Sequence, residues 1–356
     1  MSQVLVPLLL GLLSFAACEN GDVINVAKNG ADTKECIEGK KPCLTIDYVI
    51  QNFDNDMVPA TVKVTYSQKI SVSVYGFRVR DKITIIGGED IVFQCDDGIS
   101  FGFNFQGKWF GTSVNLTGIQ FQMCAALVFI EVVEVTLQDC TVRDGGPVRF
   151  TDAYWLTIDN SVFTNISTFG EPVIYNYMQV INVYPEEPNQ PIIIVKNSHI
   201  VDNRGYATST KDITGNGMLY FDTNLMIQGN ITVLIENCNI SNNIMAGTPA
   251  PLLSAEHSRE MYLNISVVGS NFMNNSIPLT ILLTSTNGDV HLNVVNSYFQ
   301  NSSTPLGGHG LQIVQGIDPY GQSDIIDSNN TIHANFIGTR FEDDPRMKTR
   351  PHKLGV

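Results

Sequence analysis

Three charged residues, Asp159, Lys196 and Glu236, have the types and spacing that could support chemistry. Each directly precedes an asparagine that follows a strand-like apolar segment. If those segments stack as neighbours, Lys196 lies between two carboxylates whose backbones are about 9.6 Å apart, which is twice the spacing of paired strands. This separation overlaps that of the paired carboxyl groups in inverting glycosidases. The alternative is a solvated acid-base-acid row, because exposed ion pairs are common and contribute little.

The three residues belong to a repeated pattern built around a turn-forming anchor. Apolar residues stand four and two positions before each anchor, and a small and an apolar residue stand one and three positions after it. The first spacing is that of a strand with one buried face. The anchors, all of types that tolerate a left-handed backbone, are Gly118, Asp139, Asn160, Asn197, Asn237, Gly269, Asn296 and Gly338.

A second corner is predicted five positions after the anchor. Seven of the eight repeats have Asp or Asn there, and Met123 is the exception. Successive anchors are separated by 21, 21, 37, 40, 32, 27 and 42 residues. A unit of two strands and two corners cannot bury its own apolar face, so it must stack on its neighbours. The pattern therefore predicts an all-β parallel β-helix of roughly ten coils, with a bare coil of about 21 residues and loops in the longer intervals.

The pattern consists of an apolar pair, an Asn, Asp or Gly, a Ser or Cys, an apolar residue and an Asn. It resembles the repeat of the right-handed parallel β-helix, pectin-lyase-like superfamily. The resemblance covers about residues 83–344. It implies the fold but not an activity, because the superfamily includes polysaccharide lyases, hydrolases and adhesins. Gly308-His309-Gly310 matches an active-site tripeptide of polygalacturonases, but the other motifs of those enzymes are missing. We interpret the tripeptide as a turn.

The chain is predicted to have four parts. Residues 1–18 resemble a secretory signal peptide, with an apolar run too short to span a membrane and small residues near its end. Residues 19–60 are predicted to form an N-terminal cap that includes a short helix within 44–53. Residues 61–344 form the β-helix, and 345–356 form a polar C-terminal tail. The sequence therefore predicts a secreted, extracellular protein with no membrane span.

Asparagine sequons agree with secretion and are predicted at outward strand positions or turns, where glycans fit. The eight candidate glycosylation sites are Asn115, Asn165, Asn230, Asn239, Asn264, Asn274, Asn301 and Asn329. Sequons also arise by chance in an asparagine-rich repeat.

The cysteines also fit an oxidising compartment. Cys36 with Cys43 and Cys95 with Cys124 are the predicted disulfides. Cys140 and Cys238 share one inward column but lie three coils apart, roughly 14 Å at the strand spacing. Since a disulfide requires Cα atoms within about 7 Å, both are predicted to be buried free thiols.

Outward apolar residues and tyrosines offer a second set of candidates. Ile194 and Leu234 fall at outward positions, where insertions at 171–190, 204–216 and 246–260 could cover them or leave a contact surface. Four tyrosines on or near these insertions, Tyr175, Tyr177, Tyr184 and Tyr206, could stack on sugars or pack internally.

Composition narrows the partners. The chain is 43% hydrophobic and 16% charged, which is typical of a folded protein, and its net charge of −14 disfavours nucleic acid and anionic membranes. No cofactor or metal motif occurs, although calcium could bridge acidic turns. The hypothesis is a secreted, glycosylated, non-catalytic β-helix for adhesion, matrix structure or glycan binding, with polysaccharide or an extracellular protein as partner. The alternative is a polysaccharide lyase or glycoside hydrolase of the same fold.

Overall fold

A computed structural model gives the fold. It describes residues 22–52, 60–70, 77–79, 81–88, 90–95, 103–107, 111–169, 173–179, 192–206, 219–224, 229–246, 253–256, 261–275, 280–283, 289–300, 312–315 and 331–342. Expectations for the signal peptide, the Gly308-His309-Gly310 turn, the C-terminal tail and the sequons at Asn301 and Asn329 lie outside these residues.

The described chain is mostly strand. Its two helices are α1 Lys34–Ile37 and α2 Ile46–Asn52. The strands in the first half are β1 Asp22–Val26, β2 Ala60–Val64, β3 Gln68–Ile70, β4 Phe77–Val79, β5 Lys82–Ile86, β6 Val92–Cys95, β7 Phe103–Gly107, β8 Ser113–Thr117, β9 Gln120–Gln122, β10 Leu127–Ile130, β11 Glu134–Gln138, β12 Thr141–Arg143, β13 Val148–Thr151, β14 Trp155–Asp159, β15 Val162–Thr164, β16 Ser167–Phe169 and β17 Ile174–Gln179. Those in the second half are β18 Ile192–Lys196, β19 His199–Val201, β20 Arg204–Tyr206, β21 Leu219–Asn224, β22 Gly229–Glu236, β23 Asn239–Ser241, β24 Ile244–Ala246, β25 Leu253–Glu256, β26 Met261–Val268, β27 Asn271–Met273, β28 Thr280–Leu283, β29 Asp289–Val295, β30 Tyr298–Gln300, β31 Gln312–Gln315, β32 Thr331–Ile337 and β33 Arg340–Glu342.

Three long sheets run along the molecule. The first sheet has eleven strands in the order β1-β2-β5-β8-β11-β14-β18-β22-β26-β29-β32. The second has ten, from β3 to β33, and the third has nine, from β4 to β31. A fourth sheet contains β16, β20 and β24. Strands in each sheet pair in parallel with strands one coil away, so the chain is a parallel β-helix, as predicted.

The third sheet is the main difference from the predicted coil of two strands. Its strands occupy segments that the sequence pattern treats as turns or insertions, such as β10 and β13 in the shortest coils. The predicted insertion at 171–190 contains β17, and that at 246–260 contains β25. These strands lack the asparagine anchor that marks the other two sheets, so the pattern does not identify them.

The anchors bend the chain as their residue types require. Asp139, Asn160, Asn197 and Asn237 have φ values of 53°, 47°, 51° and 52°. At the second corner Met123 also has a positive φ, 58°, although its type does not favour the left-handed region. The backbone N–H groups of Asp139, Asn160 and Asn197 donate to carbonyl oxygens of the next coil at 3.1, 3.2 and 2.9 Å, so these anchors lie one above another.

The interior consists of columns of identical or similar side chains. The ring centroids of Phe105 and Phe150 each lie 5.0 Å from that of Phe129, and those of Phe272 and Phe299 are 4.6 Å apart. Offset stacking of this kind adds to the burial free energy of aromatic rings. Since each ring packs on the equivalent ring of a neighbouring coil, the stack also favours one register between the coils.

A buried column of asparagines at the second corner satisfies the backbone where the chain turns. The side-chain Nδ2 of Asn203 donates to Oδ1 of Asn243 at 2.9 Å, and Nδ2 of Asn243 donates to Oδ1 of Asn275 at 2.9 Å. Nδ2 of Asn243 also donates to the carbonyl oxygen of Ile200 at 2.8 Å. These bonds connect successive coils in the interior, where unpaired polar groups are costly.

Two predicted disulfides are present near the N-terminal end. Cys36 pairs with Cys43, and Cys95 pairs with Cys124. Helix α2 buries Ile46, Val49 and Ile50 against the core. Strand β1, within the predicted cap, is also the edge strand of the first sheet.

At the other end of the first sheet, β32 is the last strand in the order. Its predicted inward residue Phe336 is 46% exposed, unlike the buried inward residues of the preceding strands. No helix in the part of the chain that the structure describes is long and apolar enough to span a membrane.

Candidate functional site

The three sequence-predicted charged residues lie side by side on the outward face of the first sheet, each at the last position of its strand. The register pairs Asp159 of β14 with Lys196 of β18, and Lys196 with Glu236 of β22. Lys196 Nζ lies 3.2 Å from Asp159 Oδ2. The other carboxylate oxygen of Asp159, Oδ1, accepts a hydrogen bond of 2.9 Å from Asn197 Nδ2. The predicted order of acid, base and acid is therefore present.

Glu236 differs from Asp159 in its surroundings. It is half-buried and lies next to Lys196 in register. Among the contacts of the described residues, the ammonium of Lys196 pairs with Asp159 and makes no ion pair with Glu236. The row therefore consists of one ion pair and one carboxylate without an ion-pair partner among the described residues.

Trp155 adds an aromatic group that the sequence reasoning missed. It directly precedes the apolar pair of its repeat and lies on the same outward face of β14 as Thr157 and Asp159. The register pairs Trp155 with Ile192, which is 39% exposed. Extending the repeat by one residue toward the N-terminus would have placed Trp155 in this column.

Outward aliphatic residues continue the surface beside Trp155. Ile194 pairs in register with Thr157 on one side and with Leu234 on the other, and both apolar side chains are half-buried. We define the β14-β18-β22 face as Trp155, Thr157, Asp159, Ile192, Ile194, Lys196, Thr232, Leu234 and Glu236. One end of this face is apolar and includes the ring of Trp155. The other end is the charged row, about 13 Å from Trp155 along the strands.

The ion-pair and hydrogen-bond partners of Asp159 determine how its carboxylate can act. Both carboxylate oxygens of Asp159 are engaged, one by Lys196 and one by Asn197. A general base must reach a proton on the substrate, and these contacts compete with that role. Trp155 and the aliphatic residues instead offer a flat surface on which a ligand with apolar faces can lie.

The free thiols provide no alternative nucleophile. Cys140 and Cys238 are unpaired and buried, as predicted. Burial raises the pKa of the Cys140 thiol to about 12 and that of Cys238 to about 11. Both therefore remain protonated at neutral pH, and the thiol, unlike the thiolate, is a poor nucleophile. Each packs as a small hydrophobic residue.

Potential metal ligands are dispersed in the described residues. No group of three or more His, Cys, Asp or Glu side chains is close enough there to hold a metal ion. Asp139 and Asp144 instead accept hydrogen bonds from the amides of Asn160 and Asn165, both at 2.6 Å. Calcium binding at acidic turns remains a prediction.

The described sequons fall at two kinds of position. Asn165 and Asn274 are exposed at the second corner, whereas Asn115, Asn239 and Asn264 are half-buried within strands. Asn115 and Asn264 lie on the outward face of the first sheet. Asn230 lies in β22.

The tyrosines are not brought to the β14-β18-β22 face. Tyr175 and Tyr177 belong to β17 in the third sheet and not to an insertion loop. Tyr206 ends β20 in the fourth sheet, and Tyr184 lies outside the described residues. The register of the third sheet pairs Tyr175 with Arg149, which the sequence pattern did not relate to it.

Comparisons with known proteins identify no family. No protein-family model matches the chain, and no curated protein matches it. One similar solved structure is the A-module of the mannuronan C-5 epimerase AlgE6 of Azotobacter vinelandii. The similarity covers 81% of this chain and 91% of that chain, with 10% sequence identity and a TM-score of 0.27. The assignment of a parallel β-helix rests on the sheet topology of the chain itself.

Proposed function

We propose that the protein is a secreted glycoprotein that binds a polysaccharide on the β14-β18-β22 face without cleaving it. The observation that supports this proposal is the position of Trp155 beside Ile192 and Ile194 on a flat sheet, next to a charged row. A sugar ring has apolar faces that stack on an aromatic ring and hydroxyl groups that hydrogen-bond to charged side chains. A repeating sheet surface suits a repeating polymer.

The contacts of Asp159 favour binding over turnover. Its carboxylate is held by Lys196 and Asn197. In the alternative, a polysaccharide lyase or glycoside hydrolase, Asp159 and Glu236 would act as a pair, and Lys196 lies between them in the register. In inverting glycosidases the two carboxyl groups leave room between them for the attacking water.

Two of the three described sequons on the first sheet lie on strands that flank the β14-β18-β22 face, and the third, Asn230, lies near the start of β22, two residues before Thr232. Asn115 lies on β8, two strands from β14, and Asn264 lies on β26, next to β22. Glycans on both residues would border the β14-β18-β22 face at its two ends. The strands that carry Trp155 and Ile194 would remain accessible between them.

A binding experiment tests the proposal. The secreted protein and its Trp155→Ala variant are applied to an array of neutral, acidic and amino polysaccharides, and affinities for any ligand found are measured by calorimetry. Loss of the aromatic contact should weaken binding by about tenfold or more. Val162→Ala, on the outward face of the second sheet, is the matched control and should bind normally. Wild-type affinity in Trp155→Ala would contradict the proposed face.

A turnover assay separates the binding protein from the enzyme. The same polysaccharides are incubated with wild type and with Asp159→Ala, which removes the carboxylate without creating a new sequon at Asn160-Ser161, and the products are examined for new reducing ends or unsaturated sugars. We expect none from either protein. Products that appear with wild type and disappear with Asp159→Ala would establish the lyase or hydrolase alternative.

A further inference from the structure

The charge of the outward residues around the proposed site indicates which polysaccharide it would select. Strands β11, β14, β18 and β22 carry three outward carboxylates, Glu134, Asp159 and Glu236, and one ammonium, Lys196. Glu134 pairs in register with Trp155, so a negative charge stands at each edge of the apolar surface. The whole chain carries a net charge of −14.

Glu236 is the carboxylate best placed to meet a bound sugar. Lys196 directs its ammonium to Asp159, which leaves Glu236 without an ion-pair partner among the described residues. Glu236 stands two residues after Leu234 on the same face of β22, a distance of about 6.6 Å along the strand. A sugar ring on Leu234 and Ile194 could therefore bring a substituent close to the Glu236 carboxylate.

We infer that the β14-β18-β22 face selects polysaccharides with free amino groups, such as partly deacetylated hexosamine polymers. This inference rests on the proposed function and specifies its ligand class. A sugar ammonium would form a charge-assisted hydrogen bond with Glu236, which is stronger than a bond between neutral groups. The negative potential of the chain attracts such a polymer and repels polyuronates.

The test compares hexosamine oligosaccharides of matched length in free-amine and N-acetylated forms, with an oligouronate as the third ligand. Affinities are measured by calorimetry at low and high salt, below the pKa of the sugar amine. The free-amine form should bind about tenfold or more tightly than the acetylated form at low salt, because one charge-assisted contact is of that order. High salt should reduce the difference through screening. The oligouronate should bind weakest.

Two variants show whether the preference comes from Glu236. Glu236→Gln should remove most of the preference for the free amine while leaving the affinity for the acetylated form unchanged. Asp202→Asn removes one charge at a distant exposed corner, where Asn also tolerates the backbone φ of 59°, and should keep the preference. Thermal unfolding of both variants should match wild type.

The outcomes distinguish this inference from the proposed function. Equal affinities for the free-amine and acetylated forms, or a preference retained in Glu236→Gln, would overturn the selectivity while the binding face stands. Absence of binding to all polysaccharides, or wild-type affinities in Trp155→Ala, would remove the binding face and the selectivity together.

Discussion

At the scale of single residues, Cys140 and Cys238 show how the repeat assigns a side chain to the interior. Both occupy a column that holds serine in other coils, such as Ser161 and Ser270. Each serine accepts a hydrogen bond from the backbone N–H of the cysteine in the preceding coil, at 3.1 Å. The thiols themselves donate to backbone carbonyl oxygens. Burial raises the pKa of both thiols and so keeps them protonated at neutral pH.

The raised pKa values predict a loss of stability at high pH. In the unfolded chain a thiol ionises near its ordinary pKa of about 8.5. In the folded chain Cys140 ionises at about 12 and Cys238 at about 11. The unfolded state therefore binds fewer protons above about pH 8.5, and the free energy of unfolding should fall from there up to the folded pKa values. Melting temperatures between pH 7 and pH 11 measure this fall.

Cys140→Ser is the matched variant for that prediction. Because serine does not ionise in this range, its melting temperature should fall less steeply above pH 9 than that of wild type. Both thiols should also resist iodoacetamide in the native protein at pH 8 and react after denaturation. Rapid native alkylation of either thiol would contradict its burial.

At the scale of elements, the corners decide how one coil attaches to the next. At the second corner, an exposed residue such as Asn242 has a left-handed backbone conformation. The next residue is buried, and at this position Asn203, Asn243 and Asn275 form a column. Asn243 Oδ1 accepts from both the backbone N and the Nδ2 of Asn203, at 3.1 and 2.9 Å. A single side chain thus satisfies polar groups on two coils.

Asn243→Ala should be among the more destabilising substitutions in the chain. It leaves the Asn203 donors and the Ile200 carbonyl without their buried partner, so we expect a loss of about 2–4 kcal/mol in the free energy of unfolding. Urea denaturation measures it. Asn271→Ala, at an exposed position of β27, is the control and should change stability by about 0.5 kcal/mol or less. Equal losses in the two variants would contradict a structural role for the column.

At the scale of the whole molecule, stability is a sum over neighbouring coils, because a coil in a solenoid contacts only those beside it. The Cys95–Cys124 disulfide joins β6 to the segment that follows β9, one coil further along the second sheet. A covalent link between adjacent coils should therefore act mainly on the N-terminal part of the helix.

Replacing both cysteines with alanine tests this local effect. The bond closes a loop with a sequence separation of 29, for which the chain-entropy estimate is about 3–4 kcal/mol. Hydrogen exchange should become faster in β6 to β12 and remain close to wild type in β26 to β30. Uniformly faster exchange along the whole molecule would show that the coils unfold as a single cooperative unit.

The sequence alone determined the parallel β-helix, because stacking identical coils places each residue type of the repeat in one column. The residue types at Asn160 and Asn197 required a bend in the chain. The apolar periodicity required Val135 and Leu156 to face inward. The same argument predicted the Cys95–Cys124 disulfide and the two separated thiols, whereas Cys36–Cys43 was predicted from its position around one short loop. The third sheet was missed because its strands, such as β13, lack a fixed residue type at their corners.

Only the tertiary structure decided what the outward residues do together. The spacing predicted that Lys196 stands between Asp159 and Glu236, but not that its ammonium pairs with Asp159 instead of Glu236. Nor did it relate Trp155 to Ile192, which lies 37 residues later and becomes its neighbour in the sheet. The physical reason is that burial constrains the residue types at inward positions, so apolar residues recur there at a regular spacing in the sequence. Outward positions are free to vary, so their contacts depend on side-chain geometry.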